Sequence, residues 1–252
     1  FGRANTPEKP AMTEFVTAAD GIDIAFEIVG EGPPVVIIHG FGASRTITWV
    51  NTSWYQTLAK AGRKVIAIDC RGHGESGKPH DPEDYDEGRM AADVIAILAA
   101  LRTPSVDVVG YSMGAYLTIR LMHDAPGRVR RAVLGGVGET YFRPSPEKME
   151  IIAQGFLASD PASITDPTAR EFRTFCERAG NDLQAMADGV AIHALNELEV
   201  DVIDRLAILK AVDQVQRCTP NAFDGRQSQL HRTGGDVNRL RAQRQGSFIR
   251  QV

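Results

Sequence analysis

Val106-Asp107-Val108-Val109-Gly110-Tyr111-Ser112-Met113-Gly114-Ala115 opens as a β-branched run and closes as the start of a helical pattern that continues to about His123. A run of that kind reads as a buried strand, and Gly-x-Ser-x-Gly falls where strand gives way to helix. The chemistry explains the spacing. A serine lifted clear of a sheet needs a very tight strand-to-helix turn, and glycines two positions to either side let neighbouring backbone pass without a side-chain clash. The helix that begins at Met113 aims its amide dipoles at the place where negative charge would develop on a substrate oxygen. Ser112 is therefore the candidate nucleophile.

Outward from this turn, short β-branched runs alternate with amphipathic patterns, the signature of a mostly parallel sheet covered on both faces. The runs predict strands at 14–18, 22–29, 35–38, 65–69, 106–109 and 132–134. Between Asp86 and Leu101, Met90, Val94, Ile97, Leu98 and Leu101 form one apolar stripe at helical spacing. From Phe142 to about Leu206 strand signals stop, and helical segments follow one another, separated by Pro144, Pro146, Pro161, Pro167 and Gly180. The expected class is α/β, a mostly parallel central sheet flanked by helices with a small helical insertion. Its parts are residues 13–141 as the first part of the core, 142–206 as the insertion and 207–252 as an atypical last part. Residues 1–12 read as a leader or an added remnant.

The chain's 252 residues suffice for one such domain with a sizeable core. A net charge of −4 and a pI near 5.9 give no electrostatic case for nucleic acid or an anionic membrane surface. Cys70, Cys176 and Cys218 are too widely spaced for a zinc motif or a disulfide framework, and read as reduced thiols of a cytoplasmic protein. No apolar run approaches the roughly 18 residues that cross a bilayer. The expected partner is a small neutral or mildly polar molecule, with neither nucleic acid nor membrane; a homodimer is the assembly entertained.

A second motif, His39-Gly40-Phe41-Gly42, follows the strand at 35–38. A glycine-rich turn there can aim one N–H at the oxygen that the residue after Ser112 also faces, which assigns Phe41 and Met113 as oxyanion donors, with Gly40 and Tyr111 beside the substrate. These segments, with Asp69-Cys70-Arg71-Gly72-His73-Gly74-Glu75-Ser76-Gly77-Lys78-Pro79 and Gly110–Ala115, resemble the α/β-hydrolase superfamily over about residues 22–138. The resemblance implies that the turn around His73 is a fixed loop and that His73 is structural; His39 reads as a hydrogen-bonder of its own loop, because the base is expected after Ser112 in chain order. The resemblance also implies that the helical insertion is a cap shaping the substrate pocket. Serine at the elbow argues against relatives that dehalogenate alkanes or open epoxides, which use aspartate there.

A serine nucleophile needs a histidine base, and the histidine needs a carboxylate. Both are expected after Ser112 in the order acid, histidine. Asp224 is the preferred acid and Glu139 the alternative. His231 is the candidate base, ahead of His193 and His123, although only seven residues separate it from Asp224. In similar proteins about 25 residues intervene, and the loop Gly234-Gly235-Asp236 is followed by Val237 where histidine would stand. Residues 211–252 hold seven Arg, seven Gln and three Asp, with neither Lys nor Glu. Divergence, skipped residues, and an altered reading frame or truncation beyond about 210 compete as the origin of this tail; its composition favours the last two.

The expected activity is carboxylesterase-like: hydrolysis of a small, largely apolar ester through an acyl-Ser112 intermediate, with no metal and no cofactor. Lactone or C–C bond hydrolysis and perhydrolysis use the same motifs. An impaired homologue that only binds its ligand is the reading from outside enzymology. Aromatic residues Phe41, Trp49, Trp54 and Tyr111 would suit an apolar acyl or ring group, and would equally serve as core.

Overall fold

The computed structural model describes residues 12–137 and 145–195, the last three by backbone alone. Six strands form one sheet: β1 (Glu14–Thr17), β2 (Asp23–Val29), β3 (Pro34–Ile38), β4 (Lys64–Ile68), β5 (Val106–Tyr111) and β6 (Val129–Gly135), in the order β1-β2-β4-β3-β5-β6. β1 and β2 pair antiparallel, as do β2 and β4, while the β4–β3, β3–β5 and β5–β6 pairs are parallel. After β3 the chain goes to β4 on one side, and later to β5 on the other. Strand order reverses there, so a crevice opens beyond the carboxyl ends of β3 and β5, the favoured place for a ligand in such sheets.

Alternation on the strands divides the core into two layers. Val36 and Ile38 face one way with Ile66, Ile68 and Val108, against α2 (Glu87–Ala100) and α3 (Met113–Asp124). Val35 and Ile37 face the other with Val65 and Ala67, against Trp49 and Tyr55 in and just after the turn at 46–50. Tyr55 lies in α1 (Trp54–Lys60). Every one of the residues 35–38 and 65–68 is buried, which is why these strands read as unbroken apolar runs. The predicted stripe of α2 is borne out, with Met90, Val94, Ile97 and Leu98 buried. Asp86 caps that helix, its side chain accepting from Gly88 N at 2.8 Å.

Three further helices, α4 (Pro146–Leu157), α5 (Pro167–Arg178) and α6 (Leu183–Leu195), have an apolar centre of their own around Ile152, Phe156, Cys176, Met186 and Val190. Two of the prolines expected to separate the helices do so as first residues of α4 and α5. Pro146 and Pro167 are first residues, behind the caps Ser145 and Asp166, because proline has no N–H to lose in a first turn. Arg173 of α5 donates to three carbonyls at the end of α4, those of Gly155 (3.0 Å), Phe156 (2.6 Å) and Ala158 (3.1 Å). These three helices reach the sheet's carboxyl end, where Asn181 donates to Gly42 O at 2.6 Å. Among the described residues no helix is long and apolar enough to cross a membrane.

Candidate active site

The turn between β5 and α3 holds Ser112 at φ +51° and ψ −115°, a backbone region that side chains rarely occupy. The surroundings hold it there. Its N–H donates to Gly135 O at 2.7 Å, and its carbonyl accepts from Ala115 N at 2.8 Å and Tyr116 N at 3.2 Å. Strain of this kind persists only where neighbouring structure over-determines the conformation, and it gathers at functional sites.

The loop after β3 runs beside this turn. A Cβ placed on Gly40 would lie 3.2 Å from the Tyr111 ring and 3.5 Å from Ser112 Cβ. Gly42 N donates to His73 Nε2 at 3.0 Å and Ala43 N to Gly40 O at 3.1 Å. Among the described residues, neither Phe41 N–H nor Met113 N–H has an acceptor, whereas the N–H groups of Gly42, Ala43 and Ser112 each have one. Phe41 and Met113 line one cavity with Ser112, so these two unclaimed amides belong to residues that share its wall.

Two cavities meet at Ser112. One, of about 250 Å³, is lined by Ser112, Met113, Tyr85, Glu87, Met149 and Val190 among others. The other, of about 460 Å³, is lined by Ser112, Gly40, Tyr111, Trp49, Trp54 and Phe175 among others. Phe41 and Phe172 belong to both walls. Of the aromatic residues read from the sequence, Trp49 is both core and cavity wall, whereas Trp54 and Tyr111 are about half exposed.

The histidines separate by their partners. His39 Nε2 accepts from Cys70 N at 3.0 Å, and His73 Nε2 accepts from Gly42 N. Each Nδ1 therefore carries the proton, donating to Gly40 O (2.8 Å) and Arg71 O (2.9 Å) respectively. With both nitrogens committed, the pair ties the Asp69–Pro79 turn to the loop that carries Phe41. Burial holds the two rings neutral: His39 is pushed down to about 4 by desolvation with a contribution from the Arg45 charge, and His73 to about 3 by desolvation and its neighbour His39. His123 lies on the surface of α3 with Nδ1 2.7 Å from Asp124 Oδ1. The side chain of His193, and all of Glu139, Asp224 and His231, lie outside the described residues, as does Cys218. Cys70 and Cys176 are buried free thiols.

A pH consequence follows from the two rings. The unfolded chain binds these protons near the ordinary histidine value of 6.5, and the folded chain near 4 and 3. Their contribution is undiminished above 6.5 and is lost as pH falls toward 4, with a slope approaching about 1.4 kcal/mol per pH unit for each ring. Urea unfolding between pH 4.5 and 6.5 should give a His73→Asn slope about one proton shallower than that of the unmodified chain. Equal slopes would contradict the assignment.

Tyr85, Glu87, Met149 and Phe172 escaped the sequence reading. Glu87 alone left a trace there: it stands three residues before Met90, on the same stripe as Met90 and Val94, a carboxyl where an apolar residue would continue the pattern. The others lie on a short turn at 82–85 and on α4 and α5, whose approach to Ser112 is a matter of tertiary packing.

The curated proteins similar to this chain include a 2-hydroxy-6-oxo-2,4-heptadienoate hydrolase of Pseudomonas putida, 34% identical over 163 residues, 60% of this chain and 58% of that one. A bifunctional epoxide hydrolase 2 of Rattus norvegicus is 32% identical over 143 residues, 55% of this chain and 24% of that one. The chain thus spans little more than half the length of one curated relative and a quarter of the other. Among solved structures, an esterase from Exiguobacterium antarcticum superposes with a TM-score of 0.57 at 20% identity, over 73% of this chain and 74% of that one, a likeness of fold. The family model described as alpha/beta hydrolase fold matches residues 33–200, a span holding the loop after β3, the serine turn and all three helices above it, and the chain belongs to that family.

Proposed function

We propose that this chain is a serine hydrolase acting on a carboxylic ester of a small, largely apolar substrate. The single observation that carries the reading is Ser112 at a strained turn between two cavities, sharing one cavity wall with Phe41 and Met113, whose N–H groups are unclaimed. Ser112 Oγ attacks the ester carbonyl and gives up its proton to a base, while the two amides receive the oxyanion. Collapse expels the alcohol with a proton and leaves an acyl-serine. Water then adds to the acyl carbon, and the acid departs as Ser112 is restored. Asp224 or Glu139 as the acid and His231 as the base remain the proposed partners, and the helices α4–α6 serve as a cap over the cavities. Cytoplasmic placement goes with this reading, and no cofactor is called for.

C–C bond hydrolysis is the second reading, favoured by the likeness to the Pseudomonas putida hydrolase. A panel of p-nitrophenyl esters of rising acyl length, run beside 2-hydroxy-6-oxo-2,4-heptadienoate, separates the two. For an esterase, kcat/KM on the best ester should exceed that on the dienoate by at least about tenfold, a difference of roughly 1.4 kcal/mol in transition-state binding. The reverse order would move the assignment to carbon–carbon cleavage. Turnover of neither substrate by the folded protein would favour a binding homologue.

A further inference from the structure

Glu87 is the only carboxyl on the described wall of the smaller cavity, which it shares with Ser112. The rest of that wall is largely apolar, with Met90, Leu117, Met149, Ile152, Phe172 and Val190 among its residues. The other polar groups whose bonds are known are already engaged. Tyr85 Oη donates to Pro79 O at 2.7 Å, and both nitrogens of His73 are bonded to backbone. Glu87 makes no hydrogen bond or ion pair among the described residues. Arg120 approaches from α3, its Nε donating to Asp124 Oδ2 at 2.6 Å, and its charge acts on Glu87 without a hydrogen bond between the two. Burial holds the Glu87 carboxyl above its ordinary value; the Arg120 charge pulls the other way, and Asp86 reinforces the rise.

A carboxyl in the first turn of a helix is welcome on dipole grounds alone. An outward-facing position would serve that purpose, however, without placing the group on the apolar stripe of α2. A partly buried carboxyl that has no hydrogen-bond donor from the described residues and faces a largely apolar cavity is stabilised by a donor that enters to bond it. We propose that Glu87 determines specificity at this cavity, by accepting a hydrogen bond from an ammonium or hydroxyl donor carried on the acyl arm of the substrate. The proposal deepens the ester-hydrolase reading and rests on it for the direction in which the arm enters. Charge assistance makes the ammonium the stronger of the two donors.

The test uses alkanamides, which are not turned over as esters are, in a series of four to eight carbons ending in an ammonium, a hydroxyl or a methyl group. Their binding is measured by calorimetry to the unmodified chain and to Glu87→Gln and Glu87→Leu, each checked for folding by its melting temperature. The unmodified chain should bind the best ammonium-ended member at least about tenfold more tightly than its methyl-ended counterpart. Glu87→Gln should keep a preference for the hydroxyl while losing that for the ammonium, and Glu87→Leu should favour the methyl. Tightest binding of the methyl-ended series by the unmodified chain, no binding of any member up to millimolar concentration, or a donor preference that survives in Glu87→Leu would overturn the proposal. A merely helix-stabilising Glu87 would move the melting temperature and leave the order of ligands alone. Failure of the serine reading shows separately, as p-nitrophenyl acetate hydrolysis that persists in Ser112→Ala, and does not alter the binding order.

Discussion

Ser112→Ala should abolish labelling by a fluorophosphonate and lower p-nitrophenyl ester hydrolysis by at least about 10³-fold, with residual turnover from the amide donors and binding alone. The variant isolates the oxygen. Alanine keeps the Cβ and therefore the same backbone constraint at φ +51°, so the turn, with its bond to Gly135 O and those from Ala115 N and Tyr116 N, should survive and the melting temperature should hardly move. Ser112→Gly provides the complementary reading. It removes the oxygen too, but relieves a conformation that costs a non-glycine residue on the order of 1–3 kcal/mol, so it should melt higher than the alanine variant. Inactivity together with raised stability is the mark of a residue held under strain for its chemistry. Labelling that persists in Ser112→Ala would place the nucleophile elsewhere and remove the reason for reading the two cavities as a substrate site.

Much of this arrangement is legible in the sequence because the residues that build it act locally. The strand-to-helix turn, the loop after β3 and the apolar stripe of α2 are each written in a few consecutive residues. The observed β6 begins at Val129, three residues ahead of the expected strand, and the reason is its place at the edge of the described sheet. There Arg130 and Arg131 are both exposed and mask the apolar alternation, and Arg130 is paired with Asp107 of β5 at 3.3 Å. The role of His73 is legible only as a resemblance, and that of His39 only from chain order. Their physical basis, two backbone amides 31 residues away in sequence from the rings that accept them, is a product of folding. The same holds for Glu87, whose periodicity was visible but whose cavity depends on α4, α5 and α6. The acid and base are not written locally in this way, because Asp224 and His231 lie in the stretch whose composition departs from the rest, past residue 200 where the family match ends.

The glycines of the elbow give the largest expected change in stability. Gly114 lies at the start of α3, and a Cβ there would stand 2.3 Å from Ile38 O, 2.7 Å from Ile38 C and 2.8 Å from His39 O. All three are backbone atoms at the end of β3, a strand buried at every one of its last four residues and paired on both sides, so none can swing away as a flexible side chain would. Gly114→Ala should therefore cost at least about 3 kcal/mol, the upper end of overpacking losses, and lower the melting temperature by roughly 6–12 °C for a chain of this size. Gly127→Ala is the matched control, because nothing lies within 4 Å of its added methyl group, and it should change stability by less than about 0.5 kcal/mol. The damage at Gly114 is also directional. Relief of the contact must push α3 away from β3, which moves Met113 N–H relative to the loop holding Phe41 and parts the two proposed oxyanion donors. Fluorophosphonate labelling of Gly114→Ala, measured well below its melting temperature, should accordingly slow by an order of magnitude or more while the chain remains folded. A variant as stable as Gly127→Ala and labelled at the unmodified rate would mean that α3 and β3 are not in the close contact on which the serine's position depends.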